Sequence, residues 1–175
     1  VMRRAARLYL SRGITFAQNG LADTRTIKAL GPALRFGLIP LRLSVWPDAA
    51  AEQARLDGAL TLPDGERVHL GPVKLVRDGS LQGYTGFLSE PYYRVAADYP
   101  PEYLGFPNLS PQRLAEQVVQ FHCAGRQTAI HANGDAAIAM SLDAVAAARQ
   151  QCPQVTVQPV LIHAQMATTE QLARM

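Results

Sequence analysis

The sequence predicts an α/β fold, part of a (β/α)8 barrel (TIM barrel), from three observations. Short apolar, β-favouring runs alternate with helical patterns along the chain. Strand centres recur at intervals of about 30 residues, except across one long loop, which is typical of parallel strands with right-handed crossovers. Polar residues with catalytic chemistry stand at the carboxyl ends of three strands, the face on which barrel enzymes carry their active sites. A doubly wound open sheet is the alternative, although no glycine-rich nucleotide-binding motif follows any strand.

The first half of the chain predicts two strands and three helices. Gly13 closes an opening helical pattern. Asp23 can cap a second helix, which Gly31-Pro32 would kink or split. A third helix, rich in Ala, Glu and Gln, ends near Gly58. The predicted strands are 14–17 and 39–46.

The second half begins with a strand predicted over 68–76, which Gly71-Pro72 makes irregular at its entry. A loop rich in Gly, Tyr and Pro follows over 78–108, and its unusual length indicates a lid or a pocket wall. Ser110 and Pro111 then form a favourable N-cap and N1 pair for a helix. The remaining predicted elements are strand 127–131, an alanine-rich helix over 136–149, strand 157–163 and a helix opened by Thr168 or Thr169.

Length and composition restrict the class of protein. With 175 residues and 48% hydrophobic content, residues 1–175 are expected to form a single domain. The net charge of +3 comes from scattered arginines, so nucleic-acid binding is not expected. No apolar run reaches the roughly 18 residues that span a bilayer, so the protein is expected to be soluble. Cys123 and Cys152 lack C-x-x-C spacing and predict neither a disulfide framework nor a zinc knuckle, which favours a reducing, cytoplasmic setting.

Lys74 is the first candidate for chemistry, because it interrupts the apolar run VKLV. Burying an unpaired ammonium group costs several kcal/mol, roughly as for any isolated charge. The chain has 15 Arg but only two Lys, Lys28 and Lys74, so an amine has been kept where a guanidinium is the usual choice. An amine can be carbamylated or form a Schiff base. The alternative is a lysine that extends from a strand end to a carboxylate such as Asp78.

Two histidines complete the candidate set. His131 ends the run QTAIH, and His163 ends VLIH 32 residues later. Each alone is more often a core residue than a ligand, but Lys, His and His at three consecutive strand ends form a constellation. Imidazole and oxygen ligands suit zinc and related divalent metals. A carbamylated lysine with two histidines would provide half of a binuclear centre, whose bound water becomes a nucleophile near neutral pH.

Three motifs in order, VKLVRDGSLQGYTGFLSEPYY, QTAIHANGDAAI and LIHAQMATTEQLARM, resemble the amidohydrolase superfamily, in particular amidohydrolase family 3 with its N-substituted formamide deformylase branch. The resemblance covers nearly the whole chain. It implies a distorted (β/α)8 barrel and metal-dependent hydrolysis of carbon-nitrogen bonds other than peptide bonds. It also implies that Lys74, commonly carbamylated in the family, His131 and His163 are catalytic metal ligands on strands four, five and six. One or two divalent ions, with zinc expected, would be the cofactor.

The chain departs from the family pattern in three places. It has no H-x-H pair and no counterpart of the eighth-strand Asp that usually acts as the general base. Ile162 stands before the sixth-strand histidine, where many relatives have Glu. We therefore expect the chain to cover barrel strands two to six of a longer enzyme. The fragment alone is expected to be inactive, and its two open sheet edges favour association, including with a second copy.

Six further residues are candidates for contact with a small amide-type substrate. They follow the three motif strands or lie on the long loop: Asp78, Gln82, Tyr84, Thr85, Asp135 and Gln165. The two aspartates could instead be helix caps or turn residues, and Gln165 could be a helix cap. His69 and His122 are expected to be structural.

Two other functions remain open from the residues. A lysine on a barrel strand also serves Schiff-base aldolases, in which burial lowers the lysine pKa and the two histidines would move protons. The chain could also be a non-catalytic barrel remnant. Bound zinc would favour the hydrolase, whereas borohydride trapping with a carbonyl substrate would favour the aldolase.

Overall fold

The computed structural model describes residues 2–62, 66–95 and 98–175, and it divides into two compact units, Val1–Lys74 and Leu75–Met175. Both units combine helices with short strands. The fold is mixed α/β with parallel sheets, as the alternation of patterns predicts. In the described part of the chain, no helix is both long and apolar enough to cross a membrane.

The first unit contains the elements α1 (Met2–Ser11), β1 (Phe16–Ala22), α2 (Thr24–Arg35), β2 (Arg42–Pro47), α3 (Ala49–Leu56) and β3 (Val68–Leu70). Its three strands form a parallel sheet in the order β1-β2-β3. Its core is formed by apolar residues of the sheet and of the helices, among them Ile27, Leu30 and Val45.

Side-chain caps begin two of these helices. Asp23 accepts the Thr26 N–H at 2.7 Å, and Asp48 accepts the Ala51 N–H at 2.7 Å. Such caps satisfy amide groups that the first helical turn leaves without a partner. The Asp23 cap confirms the prediction, and α2 runs through Pro32 without being split.

Strand β4 (Val73–Val76) begins in the first unit and ends in the second. The elements that lie wholly in the second unit are α4 (Pro111–Cys123), β5 (Thr128–Ala132), α5 (Asp135–Gln151), β6 (Val160–His163) and α6 (Thr169–Arg174). The second sheet has the order β4-β5-β6, and β5 and β6 are parallel. Phe121, Ile130 and Ile138 are among the buried apolar residues of the second unit. Ser110 caps α4 and Thr168 caps α6, as predicted.

The prediction of one strand over 68–76 is wrong, because β3 and β4 are separate strands of different sheets. Gly71 and Pro72 lie between them. A Cβ at position 71 would lie 2.2 Å from the Trp46 ring, so only glycine fits there. Proline also provides no N–H for a continuous ladder. The predicted (β/α)8 barrel and the predicted single domain stay predictions.

The expectation of unpaired thiols is also wrong, because Cys123 and Cys152 form a disulfide. Cys123 is the last residue of α4, and Cys152 follows the last residue of α5. Their Cα atoms lie 5.5 Å apart, within the range that a disulfide requires. The bond thus joins the carboxyl ends of two neighbouring helices.

Candidate active site

The two predicted histidines meet at the carboxyl ends of β5 and β6. The parallel register pairs Ala132 with His163 and places His131 one residue earlier. The imidazole rings are in edge-to-face contact, with centroids 4.7 Å apart and planes at 76°. His131 keeps 19% of its side chain exposed, and His163 is exposed. The pair is therefore open to a ligand from solvent.

The backbone at the end of β6 adopts an uncommon conformation. His163 has φ 73° and Ala164 has φ 47°, a region that costs a non-glycine residue about 1–3 kcal/mol. Two hydrogen bonds hold the turn: Ala164 donates to the Ala132 carbonyl and Met166 to the Asn133 carbonyl, both at 3.0 Å. Such conformations cluster at functional sites. The turn fixes His163 beside His131.

The His131 ring is oriented by a backbone carbonyl. Its Nε2 lies 3.0 Å from the Gly79 oxygen, which also accepts from the Asn133 side-chain amide at 2.8 Å. When Nε2–H donates to Gly79, the lone pair of the ring is on Nδ1. Metal-bound histidines are held in this manner, with the other ring N–H donated to a carbonyl or a carboxylate. The geometry therefore fits a metal ligand.

Asp78 binds the backbone just after the end of β5, the strand that carries His131. Its side chain is fully buried, and its oxygens accept the backbone N–H groups of Asn133 at 2.9 Å, Gly134 at 2.8 Å and Phe87 at 3.0 Å. The nearest carboxylate oxygen lies 3.7 Å from Nε2 of His131. Hydrogen bonds to a carboxylate are stronger than those between neutral groups. The substrate contact suggested for Asp78 stays a prediction, but the observed bonds are with the protein's own backbone.

Arg77 is a buried structural residue whose role was not predicted from the sequence. The side chain is fully buried, its guanidinium donates to the Leu109 carbonyl and contacts the Met140 sulfur, and it lies 5.6 Å from the centre of the Phe87 ring. Burial lowers the pKa of Arg77, and the neighbouring Asp78 opposes this shift. The backbone N–H of Arg77 also donates to the His131 carbonyl at 3.0 Å. The sequence signal for its burial was the position of Arg77 directly after the apolar strand β4.

Gly134 allows the long loop to pack against the strand end. A Cβ at position 134 would lie 1.9 Å from the Phe87 carbonyl oxygen. Glycine is therefore required for the backbone to approach so closely. The structural role of Asn133 was also not predicted from the sequence. This residue is 3% exposed and lies in the HANGD part of the second motif.

Lys74 belongs to the first compact unit and is half-buried between two buried residues of its strand, Val73 and Leu75. Its backbone forms a parallel bridge with Asp48. Burial lowers the pKa of Lys74, because a low-dielectric environment disfavours the ammonium form. The lower pKa increases the fraction of Lys74 in the uncharged amine form, which carbamylation requires.

The remaining candidates lie in the second unit. Gln82 and Gln165 are exposed. Thr85 Oγ1 accepts the Ser80 N–H at 2.9 Å and so braces the loop. Tyr84 and Asp135 line a cavity of about 620 Å³. Their roles towards substrate stay predictions.

Among residues 2–62, 66–95 and 98–175, no group of three or more His, Cys, Asp or Glu side chains is placed to hold a metal ion. The histidine pair supplies two imidazole nitrogens. A catalytic metal usually has three protein ligands. A third donor of another type, such as a modified lysine, would complete such a set.

Two solved structures are similar to the chain. An uncharacterized metal-dependent hydrolase from Pyrococcus furiosus has 25% identity and a TM-score of 0.78, with 98% of this chain and 34% of that chain covered. One from Pyrococcus horikoshii OT3 has 24% identity and a TM-score of 0.77, with 98% and 33% covered, and shows the fold alone. The chain thus spans about a third of the length of either neighbour. No curated protein matches it significantly.

The amidohydrolase family model matches residues 1–175 of the chain. This match extends over both compact units and over all three motifs named above. The chain belongs to the amidohydrolase family.

Proposed function

We propose that the chain is part of a metal-dependent hydrolase that cleaves carbon-nitrogen bonds other than peptide bonds. The observation that carries the proposal is the contact between His131 and His163, with the Nε2 of His131 turned to the Gly79 carbonyl. Membership of the amidohydrolase family supports the reaction class, and the Pyrococcus furiosus neighbour supports the metal.

The histidine pair would hold a divalent ion, with zinc as the expected metal. When bound, such an ion supplies a water activated near neutral pH and polarises the carbonyl that is attacked. In the tautomer whose Nε2–H is donated to Gly79, His131 would contribute Nδ1; Nε2 also lies 3.2 Å from the Asn133 side-chain nitrogen, a contact in which it would accept. The carboxylate of Asp78 holds the backbone on which this histidine is oriented. One or two ions fit the chemistry of the donors.

Lys74 would contribute a carbamate, as the family resemblance implies. The uncharged amine adds to carbon dioxide and releases a proton, which gives an oxygen donor in place of an ammonium group. The lowered pKa of Lys74 supports this modification. The same property is required of a Schiff-base lysine, so an aldolase is the second candidate function.

Finer assignments belong to the same proposal. We place the chain in the N-substituted formamide deformylase branch, as strands two to six of a single (β/α)8 domain. Substrate contacts are assigned to Gln82, Tyr84, Thr85, Asp135 and Gln165, with Asp78 in support. A cytoplasmic location stays a prediction, and it loses its argument from free thiols because Cys123 and Cys152 are bonded. Association with a second copy is also a prediction.

The test uses the full-length protein that carries this chain. A panel of N-substituted amides is assayed with added zinc, then after chelation and after zinc is restored. Turnover that disappears with the chelator and returns with zinc is expected. Turnover of a carbonyl substrate that persists in chelator, with borohydride trapping at Lys74, would instead establish the aldolase.

A further inference from the structure

The first 47 residues carry a strong excess of positive charge. They contain seven Arg and one Lys but a single acidic residue, Asp23, which gives a formal charge of +7, whereas the whole chain has +3. The Asp23 carboxylate accepts the Thr26 N–H, so it is engaged at the start of α2. All eight cationic residues are exposed. The first unit therefore presents a strongly cationic surface to solvent, which attracts anionic partners.

Three of these arginines lie at one end of the first sheet. Strands β1 and β2 are parallel, and their first residues, Phe16 and Arg42, are paired. Arg12 directly follows α1, and Arg35 is the last residue of α2. Short connections join each helix to the strand after it, so these residues gather at the amino-terminal end of the sheet. We call this surface, together with Phe36, the basic end.

Exposed apolar side chains lie among the arginines of the basic end. Phe16 and Phe36 are 49% and 71% exposed. The Arg42 guanidinium lies 5.9 Å from the centre of the Phe16 ring, and the Arg35 guanidinium lies 5.5 Å from that of the Phe36 ring. Ile14, between α1 and β1, is also exposed. A surface that mixes cations with exposed apolar side chains matches a partner with both anionic and apolar parts.

A cavity of about 190 Å³ opens between α1 and the first sheet. Its wall includes Tyr9 from the last turn of α1, Ile39 and Leu41 just before β2, and Leu43. Because Leu41 and Leu43 flank Arg42 in the sequence, the cavity lies beside the basic end. A mainly apolar wall accepts an alkyl chain, whereas a buried polar group would lose its hydrogen bonds to water there.

We propose that the basic end docks on a membrane surface rich in anionic phospholipid. The arginines meet the lipid phosphates, which guanidinium groups bind through several N–H donors. The exposed rings enter the boundary between headgroups and acyl chains, where amphipathic surfaces bind. Nucleic acid also offers phosphates, but it has no alkyl chain for the neighbouring cavity. The contact is peripheral and does not use the histidine pair, so it stands independently of the proposed function.

The experiment measures sedimentation of the full-length protein with two kinds of vesicle. One is phosphatidylcholine alone, and the other is an equimolar mixture of phosphatidylcholine and phosphatidylglycerol. Binding to the anionic vesicles is expected to be about tenfold tighter or more, and to weaken as salt is added. Equal binding to both vesicles, or binding to neither, would overturn the proposal.

Two variants locate the contact. Arg42→Gln removes a charge and Phe36→Ala removes an exposed ring, and each is expected to weaken binding to anionic vesicles about fivefold. Arg113→Gln is the control for charge, because the Arg113 side chain is 61% exposed on α4. Leu172→Ala is the control for apolar surface, because Leu172 is 58% exposed on α6. Equal affinity in all four variants, with thermal melting showing that they are folded, would place the contact elsewhere and overturn the proposal.

A single-stranded oligouridylate tests the other anionic partner. No measurable RNA binding, at a salt concentration where the anionic vesicles bind, supports the lipid assignment. RNA binding tighter than vesicle binding, and weakened by Arg42→Gln, would identify the basic end as a nucleic-acid site and overturn the proposal.

Discussion

The Asp78 carboxylate accepts the backbone N–H of Gly134 at 2.8 Å, across 56 residues of sequence. The same carboxylate also accepts the N–H groups of Asn133 and Phe87. Together these bonds hold the end of β5, just after His131, against the long loop. The position of a candidate metal ligand therefore depends on a buried carboxylate that accepts three backbone N–H groups.

Asp78→Asn is expected to destabilise the protein by about 3 kcal/mol, the scale for losing a buried hydrogen bond to a charged group. An amide presents its NH2 group to backbone N–H donors, so at least one of them loses its acceptor. Urea denaturation measures the free energy of unfolding. Asp143→Asn is the control, because Asp143 is exposed and its ion pair with Arg174 is expected to contribute about 0–1 kcal/mol. Equal losses in both variants would contradict the role given to Asp78.

The local structure was predictable where the signals are local. Asp23, Ser110 and Thr168 cap helices as predicted, because a cap is determined by residues within one helical turn. The meeting of His131 and His163 was also predictable, since parallel strands bring their carboxyl ends to one edge.

The long-range features were not predictable from pattern. Gly71, between β3 and β4, leaves no room for a Cβ beside the Trp46 ring, a contact between residues far apart in the sequence. The burial of Arg77 depends on Met140, 63 residues away, and the disulfide depends on how α4 and α5 pack. Such pairings are set by tertiary packing, which the local sequence does not encode.

His131→Ala and His163→Ala are each expected to lower zinc content and hydrolysis together in the full-length protein, by at least about tenfold. Metal analysis after gel filtration measures the loss. His69→Ala is the control, because His69 is exposed on β3, and it should keep the metal. His122→Ala should lower stability but not the metal content of the folded fraction, since His122 is buried within α4. Equal metal loss in all four variants would refute the assignment.

Lys74→Ala is expected to abolish zinc-dependent turnover, with partial rescue by short carboxylic acids that replace the carbamate oxygens. Lys28→Ala provides the matched control, because Lys28 is the other lysine among these 175 residues and is exposed on α2. Turnover at different acid concentrations is the measurement. Full activity of Lys74→Ala without added acid would exclude a metal-bridging role.

Gly134→Ala is expected to lower both stability and turnover, because its Cβ would overlap the Phe87 carbonyl. The loop must then move away from the strand end that carries His131. Gly20→Ala is the control, since the nearest atom that its Cβ would meet is a flexible Gln18 side-chain nitrogen at 3.4 Å. Thermal melting and turnover are compared in the two variants. A Gly134 variant as stable and active as the Gly20 variant would show that the close packing is not required.

The last prediction concerns the bond between Cys123 and Cys152, which closes a loop with a sequence separation of 29. Loop-closure entropy of this size corresponds to about 3–4 kcal/mol in the chain-entropy model. Cys152→Ser should therefore lower the free energy of unfolding by that amount, as should reductant added to the unmodified protein. Reductant should not affect the variant further. Peptide mapping after thiol alkylation, with and without reductant, tests the bond directly. Alkylation of both Cys123 and Cys152 in the unreduced, folded protein would refute the disulfide and restore the argument for a reducing compartment.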